Sequence, residues 1–166
     1  NNAAKPLIIP KLVAYCNEEE HHNAILTVKE TIEFAWKCST GGHHSYSVAK
    51  TPEDAAQLDM ADAELRRVYD IMKVLGLEVC MNTVVGDDML KGISGGQMRR
   101  VTLAETVATP HPVKVLDAIS TGLDASTTYD INNALKIVSN ALGNTVITSL
   151  LQVSVRFVWF LFRLLC

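Results

Sequence analysis

A strand–helix–strand pattern near the end of the chain constrains the fold most. Residues Val113–Leu116 predict a short strand that leads into Asp117, and Thr145–Leu151 predict a second strand that we expect to be buried. Between them, Asp124 is placed to cap a helix and Gly143 to close it. The apolar stripe of that helix consists of Ile131, Ala134, Leu135, Val138 and Leu142. A crossover of helical length joins parallel strands, so the pattern predicts an α/β fold with a parallel sheet core, in which ligands bind at the carboxyl ends of the strands.

Upstream segments supply further elements of the same kind. Residues Lys11–Cys16 predict another short strand. Thr27, followed three residues later by Glu30, forms a capping box that predicts a helix. Residues 39–50 predict a loop, and a helical insert is expected around residues 52–76. Its apolar positions at helical spacing are Leu65, Val68, Met72 and Leu75, with Gly76 as the end of the helix.

The composition argues against several classes of protein. The 166 residues carry 15 Lys and Arg against 18 Asp and Glu, so the chain is not expected to bind nucleic acid through bulk basic charge. With 48% hydrophobic and 20% charged residues, we expect one folded domain. Four separated cysteines favour a reducing compartment. The apolar tail, residues 153–166, carries two arginines and is shorter than the roughly 18–20 residues that span a membrane.

The segment from Ser94 to Gln97 carries the clearest chemical signal. Ser94 is placed to cap a helix with Gln97 as its partner, and Gly95 and Gly96 leave the first amides of that helix uncovered. Uncovered amides and the helix dipole together suit a phosphate group. The alternative is an ordinary Ser-Gly-Gly helix start. We expect Arg99 and Arg100, which follow, to lie on a solvated face of the helix, although contact with phosphate stays open.

Downstream residues make this segment more specific. Asp117 and the run Ser120-Thr121-Gly122-Leu123-Asp124 follow in order, and the whole resembles an ATP-binding-cassette (ABC) ATPase. In that resemblance, Ser94–Gln97 match the signature motif, Asp117 matches the Walker B aspartate, and Ser120–Asp124 match the D-loop. Four further blocks resemble the pleiotropic drug resistance type of the G subfamily of transporters. They are Leu26–Thr31, Val85–Leu90, Ile119–Asp124 and Ser149–Gln152. The resemblance covers residues 1–152 as a partial nucleotide-binding domain and leaves residues 153–166 outside.

The resemblance implies a P-loop NTPase-like domain that works in pairs. Two nucleotide-binding domains sandwich ATP, and each signature completes the site of the other domain. Ser94, Gly95, Gly96 and Gln97 would then face the γ-phosphate of a nucleotide held by the partner domain. Asp117 would help to hold Mg²⁺, while Ser120, Gly122 and Asp124 would lie at the contact between domains. The implied partners are a second nucleotide-binding domain and transmembrane domains that export a substrate, with this domain on the cytoplasmic face of the membrane.

The sequence departs from the family pattern at several positions of its own ATP site. No G-x-x-x-x-G-K-[ST] phosphate loop (Walker A) occurs in these residues, which leads us to expect a fragment. Ala118 stands where the family has the glutamate that acts as general base, a group worth roughly 10² to 10⁴ in rate. Glu18 occupies the Q-loop position, and Leu151 occupies the position of the switch histidine. We expect little or no ATPase activity from this chain alone.

Three interpretations follow from these departures. In the first, the chain is the degenerate half of an asymmetric pair, whose signature still serves its partner. In the second, it is a gene remnant that is aggregation-prone and has no function of its own, because part of the core is missing. In the third, Glu18–His22 and the pair His43–His44 bind a metal ion, although their spacing matches no structural zinc site.

Overall fold

Three parallel strands form the sheet of the molecule. The computed structural model describes residues 9, 12–40, 66 and 68–151. Strand β1 covers Val13–Cys16, β2 covers Val113–Leu116 and β3 covers Thr145–Thr148, in the order β1–β2–β3. Both pairings are parallel, with Val13 beside Val113 and Val113 beside Thr145. The predicted parallel sheet is confirmed, and the three carboxyl ends meet at one edge.

Four helices surround this sheet in the described part of the chain. Helix α1 covers Val28–Thr40, residues 66 and 68–74 are helical (α2), α3 covers Gly95–Ala108 and α4 covers Ala125–Leu142. A 3-10 helix at Glu78–Cys80 follows α2. Helix α3 lies at the centre, since it contacts α1, α4, β1 and β2.

Short-range signals placed the start of α1 and both ends of α4 correctly. Thr27 and Glu30 form the predicted capping box, with Glu30 Oε2 accepting from Thr27 N at 2.9 Å. Asp124 caps α4 through the amides of Ser126 and Thr127. Gly143 closes α4 with φ 65°, in the left-handed region that glycine adopts without a steric penalty.

The core is a single cluster of apolar side chains beneath the sheet and between the helices. Its fully buried members include Val28, Ile32, Met72, Leu77, Val101, Leu103, Leu116, Ile119 and Ile131. Helix α3 contributes buried residues along most of its length because it is packed on several sides. This packing fixes the axis of α3 and therefore the place where its first turn emerges.

The structure corrects some expectations at the edges of elements. Strand β3 ends at Thr148 rather than Leu151, and it alternates exposed and half-buried positions, with Ile147 55% exposed. The prediction of a buried strand was wrong because β3 forms the edge of the described sheet. Strand β1 begins at Val13 rather than Lys11, and α1 continues to Thr40, into the loop predicted at 39–50.

Several sequence expectations lie outside the described residues. They concern most of the loop at 39–50, the first part of the helical insert and the tail at 153–166. The division of the chain after residue 152 therefore stays a prediction. Among helices in the described ranges, none is long and apolar enough to cross a membrane.

Candidate functional site

The first turn of α3, which we call the signature turn (Ser94–Gln97), is capped and open. Gln97 N donates to Ser94 Oγ at 3.3 Å, and Ser94 N donates to Gln97 Oε1 at 3.0 Å, which completes the predicted capping box. A Cβ added to Gly95 would meet no described atom within 4 Å, and one added to Gly96 would meet only Leu123 at 3.6 Å. The start of the helix therefore offers amides and the positive end of its dipole to an approaching anion.

The second feature is the segment after β2, which we call the aspartate turn (Asp117–Asp124). Asp117 N donates to Cys16 O at 2.8 Å and so continues the ladder between β1 and β2. Its carboxylate accepts from Ser149 Oγ at 2.5 Å and from Tyr15 Oη at 3.2 Å. These hydrogen bonds, that from Ser149 first, hold the pKa of Asp117 below its ordinary value. Asp117 is therefore an ionised carboxylate at the carboxyl edge of the sheet.

Ala118 stands at the position where the resemblance places the general base. Its side chain is only a methyl group, and its backbone conformation is unusual. Its φ is 47°, and no other non-glycine residue in the described part has a positive φ. It is buried, and its N–H donates to Ser149 Oγ at 2.8 Å. Ser149 thus links the main chain of Ala118 to the carboxylate of Asp117. The turn keeps an ordered shape, but its side chain at 118 has no atom that can accept a proton from water.

Arg99 contradicts the expectation of a solvated helix face. The residue is only 3% exposed. Its Nη1 donates to the carbonyls of Asn17 at 3.1 Å and Glu18 at 3.2 Å, and its Nη2 to those of Asp117 at 2.8 Å and Ala118 at 3.2 Å. The expectation was wrong because α3 runs under the ends of β1 and β2. Those strand ends cover the helix face that carries Arg99.

A cleft of roughly 430 Å³ lies where these segments meet. Its lining consists of Glu18, Glu20, Gly95, Arg99, Thr121, Gly122 and Leu123. It therefore brings together three residues predicted for the site: Glu18, Gly95 and Gly122. Glu18 is exposed and presents its carboxylate at this edge, while burial raises the pKa of Glu20.

The remaining predicted residues have local roles in the described structure. Ser120 Oγ donates to Leu151 O at 2.7 Å and accepts from Leu151 N at 3.0 Å, which fastens the aspartate turn to the segment after β3. The Leu151 residue is about half exposed. The Asp124 carboxylate accepts from Ser126 Oγ and from the first amides of α4, and these hydrogen bonds lower its pKa.

The alternative of a metal site gains no support from His22. Its side chain is 3% exposed, with Nε2 2.9 Å from Thr102 Oγ1 and Nδ1 3.2 Å from Glu105 Oε2, so it packs against α3. Across the described ranges, no group of three or more His, Cys, Asp or Glu residues is placed to hold a metal ion. His43 and His44 lie outside the described residues.

Comparison with known proteins gives the family. The sequence profile of the ABC transporter family matches residues 5–120. This chain belongs to the ABC transporter family. The match covers the Glu18 position, the signature turn and Asp117, so the ABC ATPase fold expected from the motifs is confirmed.

Several similar proteins carry names of the G subfamily or of the pleiotropic drug resistance type. The chain is 39% identical to ABC transporter G family member 52 of Oryza sativa subsp. japonica over 155 residues, which cover 84% of this chain and 11% of that protein. Identity to ABC transporter G family member 36 of Arabidopsis thaliana is 39% over 158 residues, covering 86% and 11%. Pleiotropic drug resistance protein 1 of Nicotiana tabacum is 36% identical over 159 residues, again covering 86% and 11%. The chain thus spans about a ninth of the length of these relatives.

ABC domains generally bind ATP with Mg²⁺, and the residues present fit one part of that complex. The uncovered amides of the signature turn suit a phosphate, and the ionised Asp117 suits a hard cation. The sequence contains no phosphate loop whose amides and lysine would cradle the remaining phosphates. The described residues thus suit a phosphate group and a hard cation.

Sequence reasoning missed Arg99, Tyr15 and Ser149. Tyr15 lies near the carboxyl end of β1, and Ser149 directly follows β3. The rule that parallel strands end at one edge of the sheet would have found both residues. Arg99 precedes the buried Leu103 and Val107 by four and eight residues. That helical spacing was a signal for a buried arginine.

Proposed function

We propose that this chain is part of the nucleotide-binding domain of a G-subfamily transporter, and that its signature turn completes an ATP site whose other half belongs to a second nucleotide-binding domain. The contrast between two neighbouring turns carries the proposal. The signature turn keeps its cap and its open amides, whereas Ala118 replaces the carboxylate that would activate water. The residues that would serve a partner are intact, whereas the chain's own site keeps Asp117 but has no carboxylate at position 118.

In this proposal the chain's own ATP site is degenerate. Ala118 removes the general base, and Glu18 and Leu151 replace the Q-loop and switch residues of the family. A positioned base contributes roughly 10² to 10⁴ in rate, so hydrolysis at this half is slow. The partner half hydrolyses ATP against Ser94, Gly95 and Gly96 and drives transmembrane domains. These domains hold the assembly in a membrane with the ATP sites on its cytoplasmic face.

A chimeric transporter tests the proposal. Residues 12–151 replace the matching segment of a complete G-family relative, and ATP hydrolysis and transport are measured in membrane vesicles. Ser94→Arg should abolish both activities, because a bulky cation then blocks the amides of the signature turn. Ala118→Glu is the matched control in the neighbouring turn, and it should change both activities by less than about twofold, since the other half does the chemistry.

Two results would contradict the proposal. One is a Ser94→Arg chimera that transports like the parent. The other is a large gain of hydrolysis in the Ala118→Glu chimera, which would mean that this half needs only its base to be active. Titration of the 166-residue chain with a fluorescent ATP analogue and Mg²⁺ adds an independent check, because a micromolar affinity would show a complete pocket rather than half of one.

A further inference from the structure

The buried guanidinium of Arg99 has its four Nη hydrogens matched to four main-chain carbonyls. The acceptors form two pairs, Asn17 with Glu18 and Asp117 with Ala118. Burial of a charged group is costly unless its donors are used. Here both Nη atoms are satisfied by oxygen atoms at 2.8–3.2 Å, whereas the buried Nε has no hydrogen-bond partner among the described residues. A planar guanidinium can donate to two pairs of acceptors at once, whereas the compact ammonium group of lysine cannot.

The two pairs of acceptors belong to neighbouring strand ends. Cys16 and Leu116 are partners in the parallel ladder, and Asp117 N donates to Cys16 O just beyond it. Arg99 makes its contacts where that ladder stops, so its guanidinium joins the segments that leave β1 and β2. One of these segments carries Glu18 and the other carries Asp117.

Arg99 also lies five residues after the cap of α3. Beside the signature turn, Gly95 has open space at its Cβ position and Gly96 has ordinary contact with Leu123. A second tether acts further along the same helix, where the buried His22 contacts Thr102. Arg99 thus ties the beginning of α3 directly to both strand ends, in addition to the core packing that fixes the axis of the helix.

We propose that Arg99 is a positioning residue, which sets the spacing between the signature turn and the strand ends that carry Glu18 and Asp117. This inference rests on the proposed function, in which the signature turn meets a nucleotide already held by the partner domain. Loss of the Arg99 guanidinium leaves the binding of nucleotide to the partner domain unchanged. It weakens closure of the two domains around the nucleotide, so kcat falls while KM does not.

The test uses the chimeric transporter with Arg99→Lys and Arg99→Gln. Lysine keeps the positive charge but cannot hold both pairs of carbonyls in one plane. We expect kcat for ATP hydrolysis to fall at least about tenfold in both variants, with KM for ATP within about twofold of the parent. Arg100→Gln is the matched control, because Arg100 is the next residue of α3 and, among the described residues, bonds only the Leu75 carbonyl, at 3.5 Å. Its kcat should stay within about twofold of the parent.

Each outcome decides the proposal. Parent-like kcat in a folded Arg99→Lys chimera overturns it, and so does an equal fall in kcat for Arg100→Gln. If neither Arg99 variant folds, spin labels at the exposed Lys91 and Thr121 of the otherwise unchanged chimera give the answer without nucleotide. One narrow distance supports a fixed spacing, and a broad or double distribution overturns it. The Ser94→Arg variant separates the two proposals. If Ser94→Arg is harmless, the proposed function fails. If Ser94→Arg abolishes hydrolysis and Arg99→Lys does not lower it, only the proposed role of Arg99 fails.

Discussion

The signature turn and the aspartate turn face the same cleft, yet they use their main chains in opposite ways. Each leads into a helix capped by a side chain, Ser94 for α3 and Asp124 for α4. The signature turn has space beside its two glycines, and their amides lack intrahelical partners because they begin a helix. The aspartate turn closes on itself and on the segment after β3, since Thr121 N donates to Ala118 O and Ser120 bonds the Leu151 main chain.

The signature turn is therefore suited to bind another molecule, whereas the aspartate turn is suited to keep its own conformation. Amides free of internal partners can bind an incoming anion without first breaking a hydrogen bond. The aspartate turn has its polar groups engaged, so it holds Asp117 in place even though residue 118 contributes no carboxylate. A site can therefore lose its acid–base chemistry and keep the geometry around it.

The largest expected effect comes from Arg99, which connects the two turns. In Arg99→Met, the carbonyls of Asp117 and Ala118 lose their buried donor, and each unsatisfied group costs about 1–3 kcal/mol. Urea unfolding of the 166-residue chain should show a loss of about 3 kcal/mol or more. Arg100→Met, the control, should lose less than about 1 kcal/mol because Arg100 is half-buried and makes one long bond. Equal losses would mean that the two turns are not held together by Arg99.

A second buried cation, at the far end of α3, tests whether charge alone explains the effect. Lys114 is fully buried and donates to the Thr109 carbonyl and hydroxyl, and burial lowers its pKa to about 8 from 10.5. The unfolded chain therefore binds more protons than the folded chain between these pH values, so stability rises with pH there.

The measurement for Lys114 is a difference between variants. The unfolding free energy of the parent minus that of Lys114→Met should increase by about 3 kcal/mol between pH 8 and 10.5, since each pKa unit corresponds to about 1.4 kcal/mol. The same difference for Arg99→Met should stay flat, because arginine remains charged throughout. A flat Lys114 difference would show that its ammonium is not penalised by burial.

The two helix caps should differ in their response to acid. Ser94→Ala should cost about 1 kcal/mol at pH 7 and at pH 3, because a hydroxyl does not titrate in this range. The pKa of Asp124 lies below its ordinary value of 3.8, so its stabilisation is complete above that value and is lost as the pH falls through the folded-state pKa. Thermal unfolding should therefore show a smaller drop in Tm for Asp124→Ala at low pH than at pH 7. A constant drop would argue against an ionised cap.

Two glycines, one in each turn, provide the smallest effects. Gly122 has φ 72°, so Gly122→Ala should destabilise the chain by about 1 kcal/mol through strain alone, since a Cβ there meets no described atom within 4 Å. Gly95 has space for a Cβ and starts a helix, so Gly95→Ala should be neutral or stabilising by up to about 0.5 kcal/mol. Changes in unfolding free energy of opposite sign for the two variants would support the contrast between the turns. Equal losses of stability would argue against it.

Local patterns predicted the helix ends and the parallel strands well. Ser94 with Gln97 and Thr27 with Glu30 are pairs three residues apart, so their capping contacts are encoded in a short segment. The burial of Arg99 was missed because its acceptors at Asn17 and Glu18 are 82 and 81 residues away. The exposure of β3 was missed for a related reason, since an apolar strand does not reveal how many neighbours it has.

The contacts of Arg99 have a consequence for how such a domain changes over generations. All four acceptors are main-chain oxygen atoms, which are present whatever side chain follows them. Replacement of the side chain at residue 18 or 118 therefore keeps these acceptor atoms while it alters the chemistry of that position. Selection for catalysis acts on the side-chain atoms of these residues, whereas selection for shape acts on their main-chain atoms. Mutational drift can therefore remove the catalytic groups while the shape persists.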